Sequence, residues 1–194
     1  SASAQSTETL PAVNLQRWRP APNASDFLTV YSAFVDEHLG FNGGFYLNYA
    51  NDPLQLRHAG EAQLQAAVDY QFFADLFFSM AFFEWFEVGV VLPVGFGTGS
   101  DILDEPYGSL DGEMGLGDLR VVAKGRILRL GEFPVGLGLV FNLATPTGDG
   151  DALFGDEGVG FDTVAALEFN PWGRTRMAGN LGFRYRPSPD QNIK

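Results

Sequence analysis

Apolar and polar residues alternate with period two along most of this chain, the pattern of strands with two unlike faces. In the first clear run Phe41, Gly43, Phe45, Leu47 and Tyr49 share one face, with Asn42, Gly44, Tyr46 and Asn48 on the other. A longer run sets Leu64, Ala66, Val68, Tyr70, Phe72, Ala74, Leu76, Phe78 and Met80 against Gln65, Asp69, Gln71, Asp75 and Ser79. A helix would scatter Asp69, Gln71 and Asp75 around its surface, whereas a strand places all three on one side. The alternation returns five times. Val88, Val90 and Leu92 oppose Glu87 and Gly89; Leu119, Val121 and Ala123 oppose Arg120, Lys124 and Arg126. Leu137, Leu139 and Phe141 oppose Gly136, Gly138 and Asn142, and Leu167 and Phe169 oppose Asp162 and Glu168. Leu181, Phe183 and Tyr185 oppose Arg184 and Arg186, with Arg176 at the start of that run. With a weaker run at 27–34, about eight strands are predicted.

In each strong run one face is large and apolar and the other small, polar or charged. Period two does not say which face points inward, but the connections bear on it. Those at 82–86, 128–133 and 171–175 are short; those at 50–60, 98–117 and 145–160 are long, so the two kinds alternate. Transmembrane β-barrels show this asymmetry, with short periplasmic turns and long extracellular loops. The short connections carry Phe82, Phe83, Trp85, Phe86, Phe133 and Trp172, residue types that form aromatic girdles at membrane–water interfaces. A single Trp in a turn reads as an ordinary packed residue; two Trp in equivalent turns, each beside Phe, favour a girdle.

Composition narrows the function. The 24 acidic residues exceed the 12 basic ones, for a formal charge of −12, which argues against a nucleic-acid partner. Much of the negative charge lies in two long connections, with Asp101, Asp104, Glu105, Asp111 and Glu113 in one and Asp149, Asp151, Asp156 and Glu157 in the other. The chain has no Cys, which excludes disulfides, a thiol nucleophile and thiolate metal sites, and its two His exclude a three-histidine zinc site. No run of 18 apolar residues is present, so no transmembrane helix is predicted. Residues 1–26 read as a polar, Pro-containing arm in which Val13, Leu15 and Trp18 suggest some packing, and 27–194 as the barrel domain. Ala2-Ser3-Ala4 fits the small-x-small end of a signal peptide, the mark of a secreted precursor, although a disordered polar terminus accounts for it equally well.

The chain resembles outer-membrane β-barrels, and in particular the barrel part of OmpA-type proteins. The resemblance rests on Arg17-Trp18-Arg19-Pro20-Ala21-Pro22, the run from Phe45-Tyr46-Leu47-Asn48-Tyr49 to Asp52-Pro53-Leu54, Glu87-Val88-Gly89-Val90-Val91-Leu92-Pro93, Gly117-Asp118-Leu119-Arg120 and Ala144-Thr145-Pro146-Thr147-Gly148-Asp149. It covers roughly residues 14–186. It implies an all-β, antiparallel up-and-down transmembrane barrel in a bacterial outer membrane, whole or as part of a larger barrel. The expected partners are outer-membrane lipids and other cell-envelope proteins. Members often carry a C-terminal peptidoglycan-binding domain, which these residues do not show. The strand ending at Arg186 runs toward the long-loop end, whereas a complete bacterial barrel has an even strand number. Its edge therefore needs a further partner: the segment 27–34, another chain or, as the favoured expectation, a C-terminal extension.

Within such a barrel Asp69, Gln71, Asp75, Glu87, Arg120, Lys124, Arg126, Asp162, Glu168, Arg176, Arg184 and Arg186 are the candidate lumen-lining residues. They either line an aqueous pore of porin-like character or pair across the lumen and fill it, since an eight-stranded barrel is just wide enough for its side chains. Phe45, Leu47, Phe72, Leu76, Val90, Leu137, Leu139, Leu167 and Leu181 are expected to face lipid. No enzyme activity is expected. Asp69 and Asp75 lie about 20 Å apart at ~3.3 Å per residue, too far to act on one bond. Ser79, His38 and His58 form no recognisable triad. No cofactor is expected: Gly95-Phe96-Gly97-Thr98-Gly99 lacks the Lys of a phosphate loop. Gly148-Asp149-Gly150-Asp151 with Asp156-Glu157 lacks the spacing of a calcium loop and reads as a solvated surface loop. The alternative function is a soluble secreted β-barrel or sandwich that binds a hydrophobic ligand or protein partner in a Phe-rich interior.

Overall fold

In a computed structural model the chain is described over residues 18–56, 65–99, 113–148, 154–156 and 158–186. Eight strands form one antiparallel sheet, and no helix occurs among the described residues. They are β1 (Phe41–Leu56), β2 (Gln65–Phe82), β3 (Phe86–Gly99), β4 (Glu113–Leu116), β5 (Arg120–Leu128), β6 (Val135–Ala144), β7 (Gly160–Phe169) and β8 (Met177–Tyr185). The spatial order is β1-β2-β3-β5-β6-β7-β8, with β4 also on β3. The sheet curls into a half-barrel whose edges, β1 and β8, do not pair with each other.

Seven of the expected strands are present, and the eighth is a different one. Residues 27–34 are not a strand: the N–H of each of Phe27 and Val30 bonds the other's carbonyl at 2.9 Å, closing a tight turn. The additional strand is β4, inside the connection expected to run from 98 to 117. β4 and β5 lie end to end along β3, β4 on Val94 to Gly97 and β5 on Phe86 to Val91. The break sits opposite Pro93, which has no N–H to give a ladder and only accepts, from the Gly117 N–H at 2.8 Å.

Short connections at 83–85, 129–134 and 170–176 share one end of the half-barrel. At the 83–85 turn Phe83 and Glu84 both take left-handed backbone, φ 56° and 61°, and the Trp85 N–H bonds the Phe82 carbonyl at 3.2 Å. This is the twist a tight hairpin favours. It costs a side-chain-bearing residue of order 1 kcal/mol per position.

The two faces of the sheet are opposite in character. On the convex face Phe45, Leu47, Phe72, Leu76, Val90, Leu139, Leu167 and Leu181 are all exposed, as expected, while Leu137 is half-buried. The concave face is buried along β2, β3, β5, β6 and β7, and among the described residues as many polar and charged side chains as apolar ones are buried. Residues 18–40 cover it. Pro20, Ala21, Pro22, Asn23, Tyr31, Ser32, Ala33 and Val35 are buried there, Tyr31 and Ala21 packing against Val122, Val140 and Ala166. The small residues of the inner face make room for this arm. A Cβ on Gly89 would come within 2.6 Å of Pro22, and one on Gly138 within 3.3 Å of the Ala33 Cα.

Candidate functional site

Period two turns alternate residues of each strand toward the arm, and the charged positions are among them. Gln71 and Asp75 on β2, Glu87 on β3, Arg120, Lys124 and Arg126 on β5, and Asp162 and Glu168 on β7 are all buried on the concave side. Asp69 differs. The β2–β3 register shifts between Val68 and Tyr70, so Val68 rather than Asp69 is buried and Asp69 is half-exposed. Arg176, Arg184 and Arg186 lie along the β8 edge and remain largely exposed, each with a carboxylate partner: Glu168 at 2.7 Å, Asp162 at 3.5 Å and Asp156 at 3.3 Å respectively.

The central cations of β5 are met chiefly by the arm rather than by pairing across the sheet. The Lys124 ammonium, 1% exposed, lies 3.2 Å from the Asp26 carboxylate and 3.5 Å from Glu87. Arg120 donates to the Pro20 carbonyl, and Arg126 donates to the Val35 carbonyl at 3.3 Å and to the Glu84 carbonyl. Asn23 donates to Glu87 and, at 3.0 Å, to Asp36. The Tyr31 hydroxyl donates to Asn142 at 2.8 Å, and Asn142 donates to Asp162 at 2.7 Å. Asn180 of β8 clasps the Tyr31 backbone both ways, accepting from its N–H at 2.7 Å and donating to its carbonyl at 2.8 Å. Ser32 gives Asp26 two further hydrogen bonds at 2.7 Å. An isolated charge in such a place would cost several kcal/mol, so the arm is what makes the charged inner face tenable.

Asn23, Asp26, Tyr31 and Asp36 are thus central residues that the sequence reading did not single out. They lie where no periodicity marks them, and the weak run at 27–34 was expected to be a strand. The available signal was stoichiometric: three cations on β5, a Gly-rich inner face, and small residues and prolines upstream to fit it.

At the short-turn end a cavity of about 570 Å³ opens between the arm and the sheet. Arg126, Arg129 and Arg176 line it together with Asp36, Glu37, Glu84 and Glu168, a mixture of charge that favours no one ionic ligand. Toward the other end the ring of residue Phe154 is buried edge-on against Phe73, with centroids 5.1 Å apart, above Gly95 and Gly97. Asp118 holds this region by accepting from the Gly148 N–H at 3.0 Å and the Asp156 N–H at 2.9 Å. Asp149, Asp151 and Glu157 of the acidic loop lie outside the described residues. Among the described residues no cluster of His, Asp or Glu is arranged to hold a metal ion.

The six aromatic residues singled out in the turns all sit at the short-turn end, Phe82 half-buried and Phe83, Trp85, Phe86, Phe133 and Trp172 exposed. Trp85 lies beneath two guanidinium groups, Arg126 at 5.4 Å and Arg129 at 6.0 Å from its ring centre. His38 of the arm stacks on Phe83 with centroids 4.9 Å apart and accepts the Phe83 N–H at 3.1 Å, pinning the left-handed turn. Beside it the Arg129 guanidinium, hydrogen-bonded to Glu84, holds that carboxyl below its ordinary range and is itself raised.

No protein-family model, curated protein or solved structure matches this chain. The geometry alone defines its class, an all-β antiparallel half-barrel with an arm packed in its concave side.

Proposed function

We propose that this chain is the membrane-embedded part of an outer-membrane β-barrel protein, with a structural role and a lumen filled by its own arm. The observation that carries this reading is the inversion of polarity between the faces. Charges are gathered and paired on the concave side, while Phe45, Leu47, Phe72, Leu76, Leu139, Leu167 and Leu181 stand exposed across the convex side. Soluble monomers rarely expose contiguous apolar patches beyond a few hundred Å². Strand length agrees. A tilted membrane-crossing strand needs about 9–11 residues; β5 to β8 have nine or ten, and β1 to β3, with 16, 18 and 14, are long enough to cross and continue beyond. In this orientation the exposed rings of Trp85, Phe133 and Trp172 lie at the periplasmic interface and the acidic loops outside the cell.

The alternative, a soluble barrel binding a hydrophobic ligand, needs its rings inside. Of the sheet's many Phe only Phe73 is buried, against Phe154. The test is fractionation followed by conductance. The chain should stay with the outer membrane through high-salt and alkaline washes and dissolve only in detergent. Reconstituted in a planar bilayer it should show no steady conductance. Release by the washes would overturn the membrane assignment, and a steady ohmic current would overturn the filled lumen.

A further inference from the structure

The two free edges of the half-barrel run in the same direction. Six antiparallel ladders separate β1 from β8, an even number of reversals, so both strands run from the short-turn end to the long-loop end. Neither edge has a ladder partner among the described residues. In hydrocarbon each bare N–H and C=O costs several kcal/mol, so these edges cannot face lipid. A second copy of the chain, turned about an axis along the membrane normal, would present parallel edges at both seams. Parallel pairing is the less stable kind, and single-chain bacterial barrels have even strand numbers.

We infer that the half-barrel is completed by a different β-segment that contributes an odd number of strands, antiparallel to both β1 and β8, with carboxylates at lumen-facing positions beside β8. This rests on the membrane assignment above. The charge complement follows from the edge itself. Arg176 turns to the arm, with Glu168, the Ser25 carbonyl and the rings of Phe27 and Phe34 around it. Arg184 and Arg186, however, each have one carboxylate partner and remain 54% and 43% exposed. A guanidinium has five N–H donors, so most of theirs are left for the neighbour. The most exposed large apolar side chains of β8, Leu181 and Phe183 at 79% and 67%, lie on the outer face, where the same neighbour would cover one flank.

A photo-crosslinking amino acid placed in turn at Met177, Leu181 and Tyr185, in the full protein and in the membrane of cells that produce it, reads out the neighbour. Leu139→benzoylphenylalanine, on the convex face, is the lipid control. Adducts with β7, the neighbour already present, are expected at all three positions. The inference predicts a second set, with a peptide outside both 41–56 and 160–169, whose partner residue number falls as the probe moves from 177 to 185. Adducts within 41–56, a rising order in the second set, or adducts with β7 and lipid alone at all three positions would overturn the inference while leaving lipid adducts at Leu139 intact. Absence of lipid adducts at Leu139 as well would overturn the membrane assignment and this inference together.

Discussion

Lys124 shows at the scale of one residue how the inner face works. Its ammonium is buried between Asp26 and Glu87, so Lys124→Ala would leave two carboxylates facing each other without a cation. Breaking a buried pair in this way typically costs about 3–5 kcal/mol, which unfolding by urea in detergent or lipid should register. Replacing Lys124, Asp26 and Glu87 together by apolar residues of similar volume should cost much less, because no orphan charge remains. Glu84 behaves differently because it is exposed. Its folded pKa is depressed, so its contribution is present above the unfolded value near 4.3 and is lost as pH falls through the folded value. The stability difference between wild type and Glu84→Gln should therefore be measurable at neutral pH, shrink in acid, and be screened by salt. Gly173, at φ 70° in a short turn, has open space around it but the wrong backbone for a side chain. Gly173→Ala should cost about 1 kcal/mol, while the equally open Gly125→Ala should not.

At the scale of the element, the strands were legible, and the arm only in part: a packing segment was expected within 1–26, but not its continuation to residue 40 or its place on the concave face. Alternation located seven strands and sorted Glu87, Lys124, Asp162 and their neighbours onto one face, because a side chain on a strand has only two directions. It did not mark Pro93, where the ladder on β3 is interrupted, or the shift at Val68 that takes Asp69 out of the buried row. The arm is held by side-chain-to-backbone bonds such as those of Asn180 with Tyr31, and such bonds impose no period. Its fit makes a prediction at this scale. A Cβ on Gly89 would strike Pro22, a rigid ring with no rotamer to yield. Gly89→Val should lift the arm and raise protease cleavage within 18–40 and hydrogen exchange at Tyr31, while the sheet ladders stay protected. On the outer face Leu139→Arg should cost about 2–4 kcal/mol near the bilayer midplane, against little for the same change at exposed Trp172 in a turn.

For the whole molecule the question is which phase the convex face meets. The proposed lipid contact rests on the side on which the charges lie. Period two alone leaves that side open, the asymmetry of the connections pointed to it in the sequence, and the arm packed on the charged face supports the same side. Because the chain has no Cys, single cysteines can be introduced without background at Leu76, Leu139 and Leu167 on the convex face and at Thr147 beyond the strands. Nitroxides attached there, in the protein reconstituted into bilayers, report their phase by power saturation with oxygen and with a water-soluble nickel chelate. The account predicts high oxygen and low chelate accessibility at Leu76, Leu139 and Leu167, with the reverse at Thr147. Chelate access at the three convex positions equal to that at Thr147 would contradict it.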